Sequence, residues 1–290
     1  MADGRRHRLF IKQFTGGFLI IVSAVLSHLR LPWRYRSIWQ QFVRREILGR
    51  YRGSMLGMTW ALLTPLLMLA VYTFVFVGVF KARWPGAEEA GGVAFALRLF
   101  AGLMVFNLFS EMVARAPLLM LEQPNLIKKV VFPLELLAYV SMGNALFQFF
   151  LSAVILLVGV ALFGEGLSWH AVLLPLVVMP MLPLLLGLSW LLSALGVFVR
   201  DIGPMVGLLV SFLMFLSPVF YSMQSLSPEW QFWMSLNPLT PSIENLRKVI
   251  FTDALPDWGA WAVAWLFNLG VAGFGAWVFS KLRDGFADVV

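Results

Sequence analysis

Residues 197–205 read VFVRDIGPM and place an adjacent Arg200–Asp201 pair between two long apolar stretches. The flanking stretches, residues 166–199 and 202–228, contain no Asp, Glu, Lys or Arg. Each is longer than the about 20 apolar residues that a membrane-spanning helix needs. Because charged side chains are costly in hydrocarbon, the pair predicts a short turn between two membrane segments. Part of each stretch must then tilt, lie in the interface or re-enter the membrane.

The composition of the whole chain also indicates an integral membrane protein. Of its 290 residues, 60% are hydrophobic and 13% charged, and the mean hydropathy is +0.83. A soluble domain is roughly half apolar and a quarter charged. The absence of cysteine excludes disulfides, thiolate metal sites and cysteine nucleophiles. The net charge is +7, and the basic residues are distributed along the chain as membrane orientation requires. We therefore expect no nucleic-acid partner.

Six stretches predict an all-α, polytopic fold with six transmembrane helices. The predicted spans are residues 56–80, 93–114, 136–164, 171–199, 204–222 and 258–280. Seventeen of the twenty-two Lys and Arg residues lie in segments 1–55, 115–135, 200–201 and 281–290. Positive charge marks cytoplasmic segments, so both termini are predicted to be cytoplasmic. On this topology Arg200 and Asp201 form a structural cytoplasmic turn, with Asp201 favourably placed at a helix N-terminus.

Residues 36–50, RSIWQQFVRREILGR, predict a helix that lies in the cytoplasmic membrane surface. One helical face carries the apolar residues Ile38, Trp39, Phe42, Val43 and Ile47, and the arginines lie mostly elsewhere. The alternative is a simple basic flank of the first span. Residues 1–35 are predicted to be a cytoplasmic or interfacial extension, and residues 284–290 a cytoplasmic tail.

The loop Arg115–Glu135 predicts a docking surface on the cytoplasmic side. Pro117 and Pro124 bracket the apolar stretch Leu118–Leu121, which is too short to span the membrane. Apolar residues on a small charged loop indicate contact with a partner, although this stretch can also simply rest in the interface. Glu111 stands four residues before Arg115, so we expect an ion pair within the helix that enters the loop.

The region before the last span predicts short external or re-entrant helices. Ser217–Pro218 interrupts the fifth span, and non-helical backbone at that depth must be buried in protein or line a cavity. Trp230 and Trp233 are typical of an outer membrane interface. His170 stands at another outer end, where we expect it to be solvated.

The motifs of ATP hydrolysis, zinc proteolysis and serine esterase chemistry are missing. No lysine is followed by Ser or Thr, so the chain has no P-loop, and it has no H-E-x-x-H or G-x-S-x-G sequence. Glu111 is the only carboxylate within the predicted spans, which argues against a proton relay. The sequence therefore predicts no catalytic residue, no metal site and no cofactor on this chain.

Aromatic residues inside the spans are candidates for a substrate pathway. They make up 15% of the chain, and aromatic ring faces can slide along the C–H faces of sugars without fixing one register. Packing between helices or contact with lipid is the alternative for each of them. The candidates are Trp60, Tyr72, Phe76, Phe212, Phe215 and Tyr221.

Three stretches resemble the membrane subunit of ABC exporters for O-antigen, teichoic acid and capsular polysaccharides. Residues 50–80 begin RYRGSMLGMTWALLTP, like the family's entry into its first span. Residues 125–133, NLIKKVVFP, resemble the loop that meets the ATPase, and residues 197–222 carry FVRDI and SPVFY. The resemblance covers residues 36–283, which we interpret as one polysaccharide-exporter type transmembrane domain.

This resemblance implies a homodimer in the bacterial inner membrane, with two copies of a separate ABC ATPase that carries ATP and Mg. It implies export of a lipid-linked polysaccharide from the cytoplasm, with the loop after span two transmitting ATPase motion to spans two and three. The lipid diphosphate would be held at the inner opening by Arg44, Arg45, Arg50 and Arg52. The coupling residues would be Arg115, Leu118, Leu119, Leu121, Glu122, Asn125, Lys128 and Lys129.

Three other interpretations stay open on the sequence. A permease of the same architecture can export a drug or small lipid. A membrane-embedded glycosyl- or acyltransferase would need a carboxylate or histidine constellation, which the sequence does not display. A structural membrane subunit would leave a partner ATPase unaffected.

Overall fold

The computed structural model describes residues 30–81, 84, 91–128, 132–164 and 166–289, and this part of the chain forms helices and turns without a β-strand. The α-helices are α1 (Leu31–Arg34), α2 (Arg36–Tyr51), α3 (Trp60–Tyr72), α4 (Gly91–Arg115), α5 (Pro124–Lys128), α6 (Leu136–Phe163), α7 (Leu174–Val178), α8 (Met181–Phe198), α9 (Ile202–Phe215), α10 (Pro228–Ser235), α11 (Thr240–Phe251), α12 (Trp258–Leu282) and α13 (Phe286–Val289). A π-helix, Thr73–Val79, extends α3, and 3-10 helices lie at Gly57–Thr59, Ala116–Leu118, Trp169–Leu173, Met223–Ser225 and Arg283–Gly285. The predicted all-α, polytopic fold is confirmed.

The number of full spans differs from the prediction at the fifth position. Within the described ranges, five helical stretches are long and apolar enough to cross a membrane: Gly57–Val79, Gly92–Leu118, Leu136–Phe163, Trp169–Phe198 and Trp258–Val289. Helix α9 has 14 residues, about 21 Å of helix, whereas a hydrocarbon core is about 30 Å thick. The count of six complete spans is therefore not confirmed, because the helix stops at Phe215 before the Ser217–Pro218 break.

Helix α4 forms the centre of the described helices. Nearly all of its side chains from Ala94 to Val113 are buried, and it packs against α6, α9, α11 and the π-helix. The apolar residues of these elements form one continuous core. Because α4 contacts neighbours on most sides, the polar residues near its C-terminal end are positioned by the whole bundle.

Helices α8 and α12 form the most extensive helix pair. Their backbones touch at two glycines: a Cβ added to Gly275 would lie 2.0 Å from the carbonyl oxygen of Gly187. Small residues at such a crossing let membrane helices approach closely. Asn268 on α12 donates a hydrogen bond of 2.8 Å to the carbonyl of Pro180, where proline has interrupted the fourth helical stretch.

The amphipathic helix α2 lies against α6 through the apolar face that the sequence predicted. The Trp39 indole N–H donates to the carbonyl of Tyr139 at 3.0 Å. Val43 fills the space above Gly143, where an added Cβ would lie 2.7 Å from its methyl group. Arg44 and Arg45 on the same helix are exposed.

The first helical stretch and α9 leave most of their apolar side chains exposed. In the stretch Gly57–Val79 only Ala61 is buried, and on α9 only Val206 and Val210 are buried. Phe212 and Phe215 have 64% and 67% of their surface exposed. These two elements therefore present the surface that lipid or another chain must cover.

Candidate functional site

A polar junction joins α2, α4 and α6 near the start of the first helical stretch. The Arg50 guanidinium donates to Glu111 at 2.6 Å, and the Asn144 amide donates to the same carboxylate oxygen at 2.9 Å. One bundle-facing carboxylate thus holds the end of α2 against two membrane helices. Such charge-assisted hydrogen bonds are stronger than neutral ones.

Arg115 connects α2 to the segment after α4. Its guanidinium contacts Glu46 on α2 and donates to Glu122 at 3.0 Å. The expected ion pair between Glu111 and Arg115 does not form in the structure, because both side chains take partners from other elements. Tertiary contacts have overridden the local four-residue spacing.

The predicted inner arginines do not converge on one point. Arg50 belongs to the junction with Glu111, and Arg45 stacks over the Phe42 ring at 4.4 Å. Arg44 and Arg52 are exposed, with Arg52 just beyond the end of α2. Their proposed role toward a lipid diphosphate stays a prediction.

The predicted coupling residues divide into two faces. Leu118 and Leu121 are 46% and 36% exposed, whereas Leu119 is 5% exposed and packs in the second apolar cluster of the protomer. Leu119 therefore lies on the inner face of the segment, contrary to the expectation that it contacts a partner. The remaining described candidates, Glu122, Asn125 and Lys128, are exposed, and Lys129 lies outside the described residues.

The segment after α4, residues 116–128, is called the coupling segment here, and it packs against α8. Its first turn, Ala116–Leu118, packs against α8, where a Cβ added to Gly196 would lie 2.3 Å from the Pro117 carbonyl oxygen. Below it, Phe286 of α13 is fully buried against Phe279. The sequence did not suggest this contact with the fourth helical stretch.

Part of the predicted aromatic pathway forms a cluster on the first helical stretch. The Phe76 ring stacks on Phe220 at 5.7 Å, and Tyr72 lies 6.4 Å from each of these two rings. Phe215 joins through Phe220 at 5.8 Å. Tyr221 donates to the Phe215 carbonyl at 3.1 Å.

Two other pathway candidates make no ring contact with that cluster among the residues that the structure describes. Trp60 begins α3 and is 38% exposed, and Phe212 is on the open face of α9. A role for any of the six aromatic residues in transport stays a prediction.

The Arg200–Asp201 pair occupies a turn between α8 and α9, as predicted. Both residues are exposed, and Asp201 is the N-cap of α9. Its side chain makes no capping hydrogen bond with the backbone, although its carbonyl accepts from Met205 N at 3.1 Å. Any favourable effect of its charge on α9 is therefore through the helix dipole.

At the opposite end, Arg247 binds the interrupted backbone after α9, a role that the sequence did not suggest. Its guanidinium donates to the carbonyls of Pro218 at 2.5 Å and Val219 at 2.7 Å, and its Nε donates to the carbonyl of Arg98 at 3.1 Å. Glu244 pairs with it at 3.0 Å. Burial lowers the pKa of Arg247 to about 10.

Asn237 completes the support of this break. Its amide donates to the Leu216 carbonyl at 3.0 Å and to Ser217 Oγ at 2.8 Å. Non-helical backbone inside a membrane protein must find such partners, because lipid supplies none. The predicted break at Ser217–Pro218 is confirmed as a buried, fully packed turn.

His170 is buried and hydrogen-bonded, which corrects the expectation that it is solvated. Its Nδ1 lies 2.7 Å from Asp253 Oδ1, and Ser168 donates to the same carboxylate at 2.5 Å. These hydrogen bonds lower the pKa of the exposed Asp253 carboxyl. The described residues contain no cluster of three His, Cys, Asp or Glu that could hold a metal.

The described helices, with polar junctions at their ends and exposed residues in the segment after α4, form a polytopic helical membrane protein. A sequence profile of the ABC-2 type transporter family matches residues 38–251, and the chain belongs to this family. The chain is 30% identical over 231 residues to the O-antigen export system permease protein RfbA of Myxococcus xanthus, covering 79% of this chain and 86% of that protein. Two proteins of the same name from Klebsiella pneumoniae are 23% and 21% identical over 248 residues, 85% of this chain and 92% of each relative.

Proposed function

We propose that this chain is the permease subunit of an ATP-driven exporter of a lipid-linked, O-antigen-type polysaccharide. The observation that carries the proposal is its similarity to three O-antigen export permeases over 79% to 85% of its length. These 290 residues contain no P-loop, which supports a separate ATPase as the source of energy. Transport would run from the cytoplasm through the inner membrane, with both termini in the cytoplasm.

The partner is an ABC ATPase, and the coupling segment is its docking surface. Leu118 and Leu121 are exposed apolar side chains, and the charged side chains of Glu122 and Lys128 are exposed in the same segment. An apolar centre with a charged rim is the usual anatomy of a protein interface. Arg115 ties this surface to α2, so movement of the ATPase would reach the membrane surface helix as well as α8.

The pathway requires a second copy of the chain. The exposed apolar faces of the first helical stretch and α9 are suited to pairing across a two-fold axis. Pairing would bring the ring cluster of Tyr72, Phe76 and Phe220 toward the seam between protomers. The lipid diphosphate would enter near the exposed Arg44 and Arg52, where guanidinium groups can bind phosphate oxygens.

Deletion of the gene tests this proposal, with the wild-type gene as complementing control. The deletion strain is expected to lose surface polysaccharide and to accumulate lipid-linked polymer accessible only from the cytoplasmic side. Complementation should restore surface polymer. Normal surface polymer in the deletion strain, together with retention of a small toxic compound, would favour a permease for drugs or small lipids.

A further inference from the structure

A cavity of about 390 Å³ lies between α3, α4 and α6, bordered by the end of α2. Along α4 its lining extends from Glu111 to Phe100, roughly 16 Å by helix rise, so it reaches well into the membrane region. Ligand sites in proteins are commonly concave spaces of a few hundred Å³. Its lining side chains identify what it can hold.

The cytoplasmic half of the cavity is rich in hydrogen-bonding groups. Asn107 on α4 is exposed although nearly all side chains of that helix from Ala94 to Val113 are buried, and Gln148 and Ser152 on α6 are half-buried in the opposite wall. Polar side chains within membrane helices are costly unless they face a polar space or a ligand. Gln148 also donates to the Tyr51 hydroxyl, which fixes its position.

A second cavity between the same three helices provides an internal comparison. It measures about 550 Å³ and is lined almost entirely by apolar residues such as Leu66, Val93 and Val158. That lining suits acyl chains. The first cavity also has an apolar wall that includes Met68, Leu103 and Met104, but its amide and carboxylate side chains have no counterpart in the second cavity. These polar groups are therefore a local feature and not a general property of the space between these helices.

The chemistry of the polar cavity matches an uncharged ligand with several hydroxyl groups. Amides, hydroxyls and a carboxylate supply both donors and acceptors, whereas the Arg50–Glu111 pair adds no net charge for an anion. Tyr72 and Phe100 supply ring surface beside these groups. We propose that this cavity binds one neutral sugar ring of the transported polymer, an inference that rests on the proposed function.

Two substitutions test the subsite in the assembled exporter. Asn107→Leu and Gln148→Leu each remove hydrogen-bonding groups at nearly constant size, and roughly tenfold slower export is expected from each, with normal membrane levels. The control is Gln224→Leu, in a 3-10 helix away from the cavity, which should export normally. Wild-type-like export by both cavity variants would overturn the subsite, whereas a wild-type chain that exports no polymer would overturn the proposed function instead.

Cysteine labelling identifies the ligand class, because the natural chain contains no cysteine. In the purified complex, Ser152→Cys reports on the polar cavity and Val158→Cys on the apolar one. A panel of methyl glycosides should slow thiol labelling severalfold at position 152 and leave position 158 unchanged. Protection of position 152 by phosphatidylglycerol vesicles and by none of the glycosides would contradict the proposal.

Discussion

Gly196 on α8 lies against Pro117 of the coupling segment so closely that a Cβ at position 196 would be 2.3 Å from the Pro117 carbonyl oxygen. Helix α8 in turn packs most extensively against α12. The coupling segment therefore rests on a tightly packed helix pair. A displacement of the segment by an ATPase would be transmitted to α8 and α12 as well as along α4.

Substitution of Gly196 by Ala should uncouple the ATPase from transport. The added methyl must displace backbone rather than a flexible side chain, at a cost of about 1–3 kcal/mol. We expect normal insertion and at least a severalfold loss of export, measured as polymer exported per ATP hydrolysed. Gly270→Ala on α12, at a position with open space around it, is the control and should export normally.

The two faces of the coupling segment predict opposite phenotypes for similar substitutions. Asp at the exposed Leu118 and Leu121 should abolish copurification of the ATPase while leaving the permease in the membrane. Asp at the buried Leu119 should instead reduce the amount of folded permease, because it buries a charge. Equal copurification by wild type and the Leu118→Asp, Leu121→Asp variant would rule out this docking surface.

Replacing Arg247 by Leu should strongly destabilise the protomer. The substitution leaves the carbonyls of Arg98, Pro218 and Val219 without their donor and Glu244 without its partner. Loss of one side of such a buried network costs about 3–5 kcal/mol. A large drop in melting temperature in detergent is expected, and Lys248→Leu on the same helix is the control.

The contact of Asp253 with Ser168 and His170 predicts a pH-dependent contribution to stability. Because the pKa of Asp253 is lowered from 3.8, the ionised form is favoured in the folded state. The stabilisation is present above that ordinary pKa and is lost as the pH falls through the lowered value. Asn is a suitable replacement for Asp253, because Asn tolerates the left-handed backbone conformation at this position, where φ is 49°.

Asp253→Asn should therefore lower the melting temperature near neutral pH, and the difference from wild type should shrink toward about pH 3. Thermal unfolding across this range measures the effect. A difference that is the same at both ends of the range would show that the carboxylate charge does not stabilise the fold.

The helical architecture could be predicted from sequence because membrane spans are specified locally, by length and hydropathy. The break after α9 was also local, since Ser217–Pro218 cannot continue a regular helix. That α9 would be too short to span the membrane could not be predicted locally. The helix can end early only because Arg247 and Asn237 donate hydrogen bonds to the backbone that follows it. Those partners are 20 or more residues away in the chain.

The side-chain pairing of the candidate site could not be predicted for the same reason. Spacing suggested Glu111 with Arg115, whereas the fold supplies Arg50 to the first and Glu46 to the second. Burial of Leu119 beside exposed Leu118 depends on where α8 and α13 lie. Periodicity identifies a segment as apolar, but only packing decides which of its side chains remain on the surface.

Transport in inside-out membrane vesicles tests the central claim most directly. Vesicles containing this chain and its partner ATPase would receive lipid-linked polysaccharide on their outer, cytoplasmic face. The account predicts that ATP moves the polymer into the lumen, where an added glycosidase cannot reach it, and that vesicles with the Gly196→Ala variant leave it digestible. Polymer that stays fully digestible in wild-type vesicles while ATP is hydrolysed would contradict the account.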